Sequence, residues 1–191
     1  MEKEFSQSLD KSKILITGFE PFLDHKVNPS KELALYMKNL GYSVLIFPVS
    51  YKEVTSQLEK LDLESFSFIL MLGLALERQS VCLERVAINW IESSSEDSLG
   101  NKPEPQKIDS MKEDAIINQL PLQEIVKNCK AKASFTIKIS HSAGAYVCNY
   151  LYFKILKHTS RALFVHLPES INIKEASELV ECIVKQTVKS F

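Results

Sequence analysis

The stretch FSFILMLGLA, residues 66–75, decides the fold class, because its only polar side chain is that of Ser67. A run this short and this apolar, broken by a glycine near its end, is typical of a strand rather than a helix. A strand that is apolar on both faces belongs to a parallel sheet covered by helices on both sides. The stretch therefore predicts an α/β fold with a buried central sheet.

Strands and helices alternate along the rest of the chain, as an α/β fold requires. Further strands are predicted at 13–19, 43–50, 133–140 and 161–168, with an extended segment at 80–92. Helices are predicted at 28–42, 51–63, 141–158 and 172–191, helical pieces broken near Pro121 at 114–131, and an exposed loop at 93–107. We expect a three-layer α/β/α sandwich around a largely parallel or mixed sheet. It forms one domain over residues 1–191, with a flexible N-terminal extension at about residues 1–12.

The composition is that of an ordinary globular protein and argues against several classes. Charged residues make up 25% of the 191 residues and the formal net charge is −1, without a basic stripe that would bind nucleic acid or a membrane surface. No apolar run reaches the roughly 18 residues of a membrane span. Residues 1–13 lack a secretory signal, so a cytoplasmic location is predicted. The sequence holds no phosphate-loop motif, and we expect no cofactor.

The four cysteines are too scattered for a disulfide scaffold or a zinc site, so we expect reduced thiols and no bound metal. Cys148 stands apart, because it follows the stretch SAGAYV, 142–147, and lies at the start of a helical run. Backbone amides in a first helical turn lower the pKa of a thiol and can hold an oxyanion. The alternative for Cys148 is simple packing, the role that we expect for Cys82, Cys129 and Cys182.

A cysteine nucleophile needs a base and a third group that orients the base. Ligands in open α/β sheets bind beyond the C-terminal ends of the strands. We expect such ends at Gly18, at Gly73, before Cys148 and at His166 to face one crevice.

His166 ends a strand there and is the candidate base, although a core histidine is an equally good interpretation. Glu84, in an apolar stretch, is the candidate third group, and its alternative is a surface pair with Arg85. The other histidines remain rival bases: His25, His141 and His158.

The turn GFEPF, 18–22, places two aromatic residues after the first strand. Phe19 and Phe22 are candidates to line a pocket for a small flat group, or else they cap the core. Asn28 is either the cap of the following helix or a hydrogen-bonding group of that pocket.

Four motifs then point to a known family: LITGFEPFLDHKVNPS (15–30), GLALERQSVCLERVAIN (73–89), SAGAYVCNYLYF (142–153) and FVHLP (164–168). Together they resemble the pyroglutamyl peptidase I family, cysteine peptidases also called pyrrolidone-carboxylate peptidases. The resemblance spans the chain from about residue 13 to the last helix. It implies a three-layer α/β/α enzyme that needs no metal or cofactor and removes an N-terminal pyroglutamyl residue from peptides. The family has both tetramers and monomers, which leaves a homo-oligomer open.

Matched by position, the resemblance implies that Cys148 is the nucleophile, His166 the base and Glu84 the third member of the triad. It also implies that Phe19 and Phe22 hold the pyroglutamyl ring, with Asn28 nearby in the pocket. Pyroglutamate is a neutral, flat lactam, so its pocket requires apolar faces and a few hydrogen bonds rather than a carboxylate.

The chain departs from the family pattern in the stretch ESSSEDSLG, 92–100, where the family has a segment like D-A-R-I-P-D-N-x-G. Ser94 stands in the place of the arginine, and the segments that follow Cys148 and Pro168 are shorter. Two other functions therefore stay open. One is a divergent peptidase for another N-acylated or lactam substrate, and the other is a non-catalytic protein that binds pyroglutamyl peptides.

Overall fold

The computed structural model describes residues 9–22, 25–130 and 135–188. Most of the predicted N-terminal extension, residues 1–8, lies outside the described residues. The part that is described packs against the domain, because residues Lys11–Lys13 form a turn of 3-10 helix and Lys11 Nζ lies 2.7 Å from Glu181 Oε1.

The sheet at the centre of the fold has six strands among the described residues. They are β1 (Ile14–Phe19), β2 (Ser43–Phe47), β3 (Phe68–Leu74), β4 (Val81–Glu84), β7 (Ile137–Ser140) and β8 (Ala162–Leu167), and a separate antiparallel pair is formed by β5 (Val86–Ile88) and β6 (Ala115–Ile117). The order in the sheet is β2-β1-β3-β8-β4-β7. Strands β1, β2, β3 and β8 are parallel, β4 runs antiparallel to β8, and β7 runs parallel to β4, so the sheet is mixed, as the predicted fold class allows.

Helices cover both faces of the sheet, which gives the predicted three layers. The helices are α1 (Pro29–Asn39), α2 (Tyr51–Leu58), α3 (Leu122–Lys130), α4 (Val147–Leu156) and α5 (Ile173–Val188). One face packs against α1, α3 and α5 and the other against α2 and α4, with a separate apolar cluster on each side. Helix α1 begins where the sequence predicts, because Asn28 Oδ1 accepts a hydrogen bond from Ser30 N and Pro29 occupies the first turn.

Two predictions about secondary structure are wrong. The segment 115–117 was predicted to be helical, but it forms β6, because its backbone pairs with β5 through Ala87 and Ile116. The strand at 137–140 was expected to end at the same edge as β1, β3 and β8. It runs in the opposite direction, so only three of the four expected strand ends share that edge.

The prediction that all cysteines are reduced is also wrong. Cys129 on α3 and Cys182 on α5 form a disulfide whose Cα atoms are 5.8 Å apart. Both residues are buried where α3 and α5 pack together, a proximity that their separation of 53 residues conceals. Cys82 and Cys148 are free thiols. In the described part of the chain, no helix is both long and apolar enough to cross a membrane.

Candidate active site

Helix α4 carries Cys148 in its first turn and is fixed to β5 and β4 by two buried side chains. Asn149 exchanges hydrogen bonds with the backbone of Ile88, at 2.9 Å to its N and 2.8 Å to its O. Tyr152 Oη donates to Glu84 O at 2.8 Å. These bonds hold α4 against β5 and against β4, the strand that ends at Glu84.

The position of the Cys148 sulfur is given by Gly73 on β3. An added Cβ at Gly73 would stand 3.0 Å from Cys148 Sγ and 2.7 Å from the Phe164 ring. Gly73 is also the Cα partner of His166 in the pairing of β3 with β8. Paired residues of parallel strands point to the same face, so the sulfur and the imidazole lie on one side of the sheet at neighbouring positions.

Glu84 and His166 are in direct contact and both are buried. Glu84 Oε1 lies 2.7 Å from His166 Nδ1, and Glu84 is fully inaccessible to solvent. A carboxylate can only accept, so Nδ1 carries the proton and Nε2 is left as a base. The alternative pair of Glu84 with Arg85 is absent among the described contacts, because Arg85 donates to the carbonyl oxygens of Asn118 and Leu120.

Arg78 completes this cluster, and the prediction from sequence missed it. Its Nη1 donates to Glu84 Oε1 at 2.5 Å and its Nη2 to Ser142 O at 2.8 Å. The guanidinium therefore balances the buried carboxylate and ties it to the loop that leads into α4. The signal in the sequence was an arginine four residues after the end of the buried strand β3, within the stretch LER that the resemblance also covers.

Burial sets the protonation of the two groups that would exchange a proton. Burial, and next the negative charge of Glu84, raises the pKa of the Cys148 thiol to about 12, although Arg78 acts in the opposite sense. This is opposite to the lowering that we predicted from the first helical turn, because the sulfur is desolvated. Burial also lowers the pKa of His166, against the stabilising contact with Glu84. Both shifts favour the uncharged forms of the thiol and the imidazole in the resting site.

The aromatic candidates lie on the same side of the sheet. Phe19 is 2% exposed and packs against Phe47, with 6.2 Å between ring centroids, so it belongs to the core. Phe22 is half-buried and packs against Tyr146, which directly precedes α4. Asn28 donates from Nδ2 to Glu20 O, besides capping α1, so both ends of its amide are occupied within the protein.

The divergent loop 92–100 packs beside this site. Asp97, 5% exposed, accepts hydrogen bonds from the backbone N of Tyr51 at the start of α2, at 3.2 Å, and from those of Leu99 and Asn101. Burial would raise the pKa of Asp97, but these hydrogen bonds hold it below its usual value. Tyr146 Oη donates to Glu96 O at 2.7 Å. The loop thus positions two tyrosines near Cys148.

Among the described contacts, none of the rival histidines meets Cys148 or Glu84, although the ring of His25 lies 6.2 Å from that of Phe22. His25 pairs with Glu169 at 3.2 Å, His158 follows the end of α4, and His141 is exposed. Cys82 is the other free thiol. It lies on β4 opposite His166 in the antiparallel pairing, which makes it a rival nucleophile by position.

Comparison with known proteins identifies the family of the chain. Residues 12–181 match the model of the pyroglutamyl peptidase family. The chain belongs to this family. Pyrrolidone-carboxylate peptidases resemble it over most of their length. That of Thermococcus litoralis is 34% identical over 82% of this chain and 76% of its own, and that of Oceanobacillus iheyensis is 35% identical over 83% and 84%.

Solved structures of pyroglutamyl peptidases have the same fold. Pyrrolidone carboxyl peptidase from Fervidobacterium islandicum superposes with a TM-score of 0.83, at 29% identity over 93% of this chain and 98% of its own. Pyroglutamyl peptidase I from Bacillus amyloliquefaciens superposes with a TM-score of 0.79, at 26% identity over 92% and 94%. Among residues 9–22, 25–130 and 135–188, no cluster of side chains is suited to hold a metal ion.

Proposed function

We propose that this protein is a cysteine peptidase that hydrolyses the bond after an N-terminal pyroglutamyl residue of peptides, with Cys148, His166 and Glu84 as its catalytic triad. The observation that carries the proposal is the buried contact between Glu84 and His166, next to the thiol of Cys148, in a chain of the pyroglutamyl peptidase family. A buried carboxylate bonded to a buried imidazole is expensive to maintain, and removal of the proton from a neighbouring nucleophile gives it a use.

The reaction starts from the neutral pair. His166 Nε2 accepts the proton of the Cys148 thiol as the sulfur attacks the pyroglutamyl carbonyl carbon, and the amides of the first turn of α4 stabilise the oxyanion. The imidazolium then gives its proton to the leaving amine, which departs as the shortened peptide. Water, deprotonated by His166, cleaves the thioester and releases pyroglutamate.

Glu84 and Arg78 act on the imidazole rather than on the substrate. Glu84 holds the Nδ1–H tautomer and stabilises the imidazolium that forms during attack. Arg78 neutralises Glu84 while the site is at rest, so that the carboxylate can remain buried. In this assignment Arg78 is a positioning residue.

The pocket residues divide into two roles. Phe22, half-buried against Tyr146, supplies an aromatic wall for the lactam ring. Phe19 and Asn28 support the turn that carries Phe22. Phe19 is anchored in the core against Phe47, and Asn28 holds the chain at Glu20 through Nδ2 and thereby sets the position of the turn. The cytoplasmic location predicted from the sequence is retained as part of this proposal, and the Cys129–Cys182 disulfide, a bond that is rare in that compartment, is the observation against it.

The test compares hydrolysis of a pyroglutamyl aminocoumarin amide by the wild-type protein with hydrolysis by Cys148→Ala and by Cys82→Ala. We expect Cys148→Ala to lower kcat by several orders of magnitude and Cys82→Ala to keep activity within about threefold. Release that survives in Cys148→Ala would reject Cys148 as the nucleophile. Loss in Cys82→Ala alone would assign the reaction to the rival thiol.

The same assay separates the other functions. Hydrolysis of a different N-acyl amide, without hydrolysis of the pyroglutamyl amide, would favour a divergent peptidase. Binding of pyroglutamyl peptide without hydrolysis, unchanged in Cys148→Ala, would favour a non-catalytic binding protein. Either outcome would be attributed to the altered loop 92–100, which packs beside the site and departs from the family pattern.

A further inference from the structure

Four tyrosines lie around the start of α4, and they differ in whether their hydroxyl groups are hydrogen-bonded. Tyr146 Oη donates to Glu96 O, Tyr150 Oη shares a 2.7 Å hydrogen bond with Thr55 Oγ1, and Tyr152 Oη donates to Glu84 O. The Tyr51 hydroxyl is buried and has no hydrogen-bond partner among the described residues. Tyr51 itself is 7% exposed.

The ring of Tyr51 is held in place by its neighbours, so its unpaired hydroxyl cannot easily reach another partner. Tyr146 and Tyr150 pack edge-on against it, with centroid distances of 5.9 and 5.3 Å and interplanar angles of 88°. Its backbone N is bonded to Asp97 Oδ2 at the start of α2. Packing on two sides and a fixed backbone keep the side chain from turning towards a partner elsewhere.

The Tyr51 ring also lies beside the start of α4, because it contacts Tyr146, which is two residues before Cys148. Burial chiefly raises the pKa of Tyr51, and the charges of Tyr146, Asp97 and Cys148 raise it further, so these groups are within electrostatic range of one another. Tyr51 therefore stays protonated and neutral at any ordinary pH. Tyr146 contacts both the Tyr51 ring and the ring of Phe22, and Phe22 and Tyr146 are both half-buried.

A buried hydroxyl without a partner lowers stability, since it has lost its hydrogen bonds to water. Such a group is explained when a ligand supplies the missing partner. The surrounding walls are aromatic rings, which suit a flat, uncharged ligand that brings its own carbonyl oxygen.

We propose that Tyr51 is a specificity-determining residue whose hydroxyl donates a hydrogen bond to the lactam carbonyl oxygen of the bound pyroglutamyl ring. The proposal rests on the proposed function and adds the polar contact that the aromatic wall lacks. A site that hydrogen-bonds a substrate group discriminates against analogues without that group, because the buried donor is then left unpaired.

The test uses Tyr51→Phe, which removes the hydroxyl and keeps the ring, and the matched control Tyr150→Phe, whose hydroxyl is already paired with Thr55. In the pyroglutamyl amide assay we expect Tyr51→Phe to raise KM roughly 3- to 10-fold with kcat within about twofold. Tyr150→Phe should leave both constants within about twofold. The affinity of 2-pyrrolidone, measured by calorimetry, should fall in Tyr51→Phe by the same factor as KM rises.

Thermal unfolding without ligand distinguishes a binding role from a structural one. Removal of an unpaired buried hydroxyl should leave the unfolding midpoint of Tyr51→Phe unchanged or higher, whereas Tyr150→Phe loses an internal hydrogen bond and should unfold at a lower temperature. A lower midpoint in Tyr51→Phe, with KM and 2-pyrrolidone affinity as in wild type, would overturn the proposal. A loss confined to kcat would overturn it as well, because the hydroxyl would then act on the thiol.

The 2-pyrrolidone measurement keeps the two proposals separate, since it needs no turnover. A wild-type protein that binds 2-pyrrolidone without cleaving the amide would reject the proposed hydrolysis, and the affinity of Tyr51→Phe would still decide the role of Tyr51. If the wild-type protein and Tyr51→Phe cleave the amide equally well, only the role of Tyr51 is rejected. No binding and no cleavage would reject both.

Discussion

Gly73→Ala is the most direct test of where the Cys148 sulfur lies. The added methyl group would stand 2.7 Å from Phe164 Cζ and 3.0 Å from Cys148 Sγ. Carbon atoms in contact prefer about 3.5–4.0 Å, so the ring has to retreat by about 1 Å and the sulfur by a similar or smaller amount. The Phe164 ring packs on His166, with 4.7 Å between centroids, so the shift is passed on to the imidazole.

The expected cost appears in both stability and rate. Overpacking of this kind costs about 1–3 kcal/mol of unfolding free energy. A displacement of about 1 Å between nucleophile and base lowers kcat/KM by roughly 100-fold, which corresponds to about 2.7 kcal/mol of transition-state stabilisation. Activity should therefore fall far more than the fraction of folded protein does.

The control is Leu179→Ala, on α5 at the opposite face of the sheet. It removes a buried side chain, 2% exposed, at a cost of about 2–5 kcal/mol, without touching Phe164 or Cys148. We expect it to lower the thermal midpoint at least as much as Gly73→Ala and to keep kcat/KM within about threefold at 25 °C. A folded Gly73→Ala protein with wild-type kcat/KM and an unchanged rate of iodoacetamide alkylation would refute the placement of the sulfur.

Three further predictions concern the buried charges and the disulfide. Glu84→Gln should lower kcat/KM by about 10²–10⁴-fold. Because Glu84 raises the pKa of His166, the acid limb of the pH profile of kcat/KM should move to lower pH in this variant. The control Glu92→Gln, at an exposed glutamate, should keep wild-type activity. Asp97→Asn should cost about 1 kcal/mol in urea unfolding at pH 7. The folded pKa of Asp97 lies below the ordinary 3.8, so this difference should persist above about pH 4 and vanish as pH falls through the folded pKa; a difference that grows in acid would contradict the assignment. Reduction of the disulfide, or Cys129→Ser with Cys182→Ser, should cost about 4 kcal/mol for its 53-residue separation, and an unchanged thermal midpoint in reductant would show that the bond does not form.

Local patterns in the sequence predicted those features that short segments determine. The run at 66–75 became β3, buried along its whole length, and Asn28 and Pro29 began α1 where their chemistry requires. Cys148 falls in the first turn of α4 for the same reason, since the small residues before it favour a turn and the apolar residues after it favour a buried helix. Each of these outcomes depends on neighbours within a few positions along the chain.

Features that depend on distant partners were missed. The strand at 115–117 exists only through pairing with β5, and the same three residues read alone are compatible with a helix. The disulfide depends on how α3 packs against α5. The raised pKa of Cys148 depends on burial, which outweighs the helical amides that the sequence made visible. The sequence does not single out Tyr51. Its hydroxyl stands apart only in the structure, where the neighbouring tyrosine hydroxyls are hydrogen-bonded and that of Tyr51 has no partner among the described residues.

The direction of β4 is the long-range feature on which the chemistry depends most. Because β4 runs antiparallel to β8, its C-terminal residue Glu84 enters the site from the side opposite to the end of β8, and the two side chains meet across the strand boundary. In a parallel arrangement the carboxylate would sit at the same edge as the end of β8, open to water. Antiparallel pairing instead places it beneath the imidazole and away from solvent, where one charge-assisted hydrogen bond can fix the histidine tautomer. The single reversed strand thus explains why a largely parallel sheet can hold a buried Glu–His pair beside the first turn of α4.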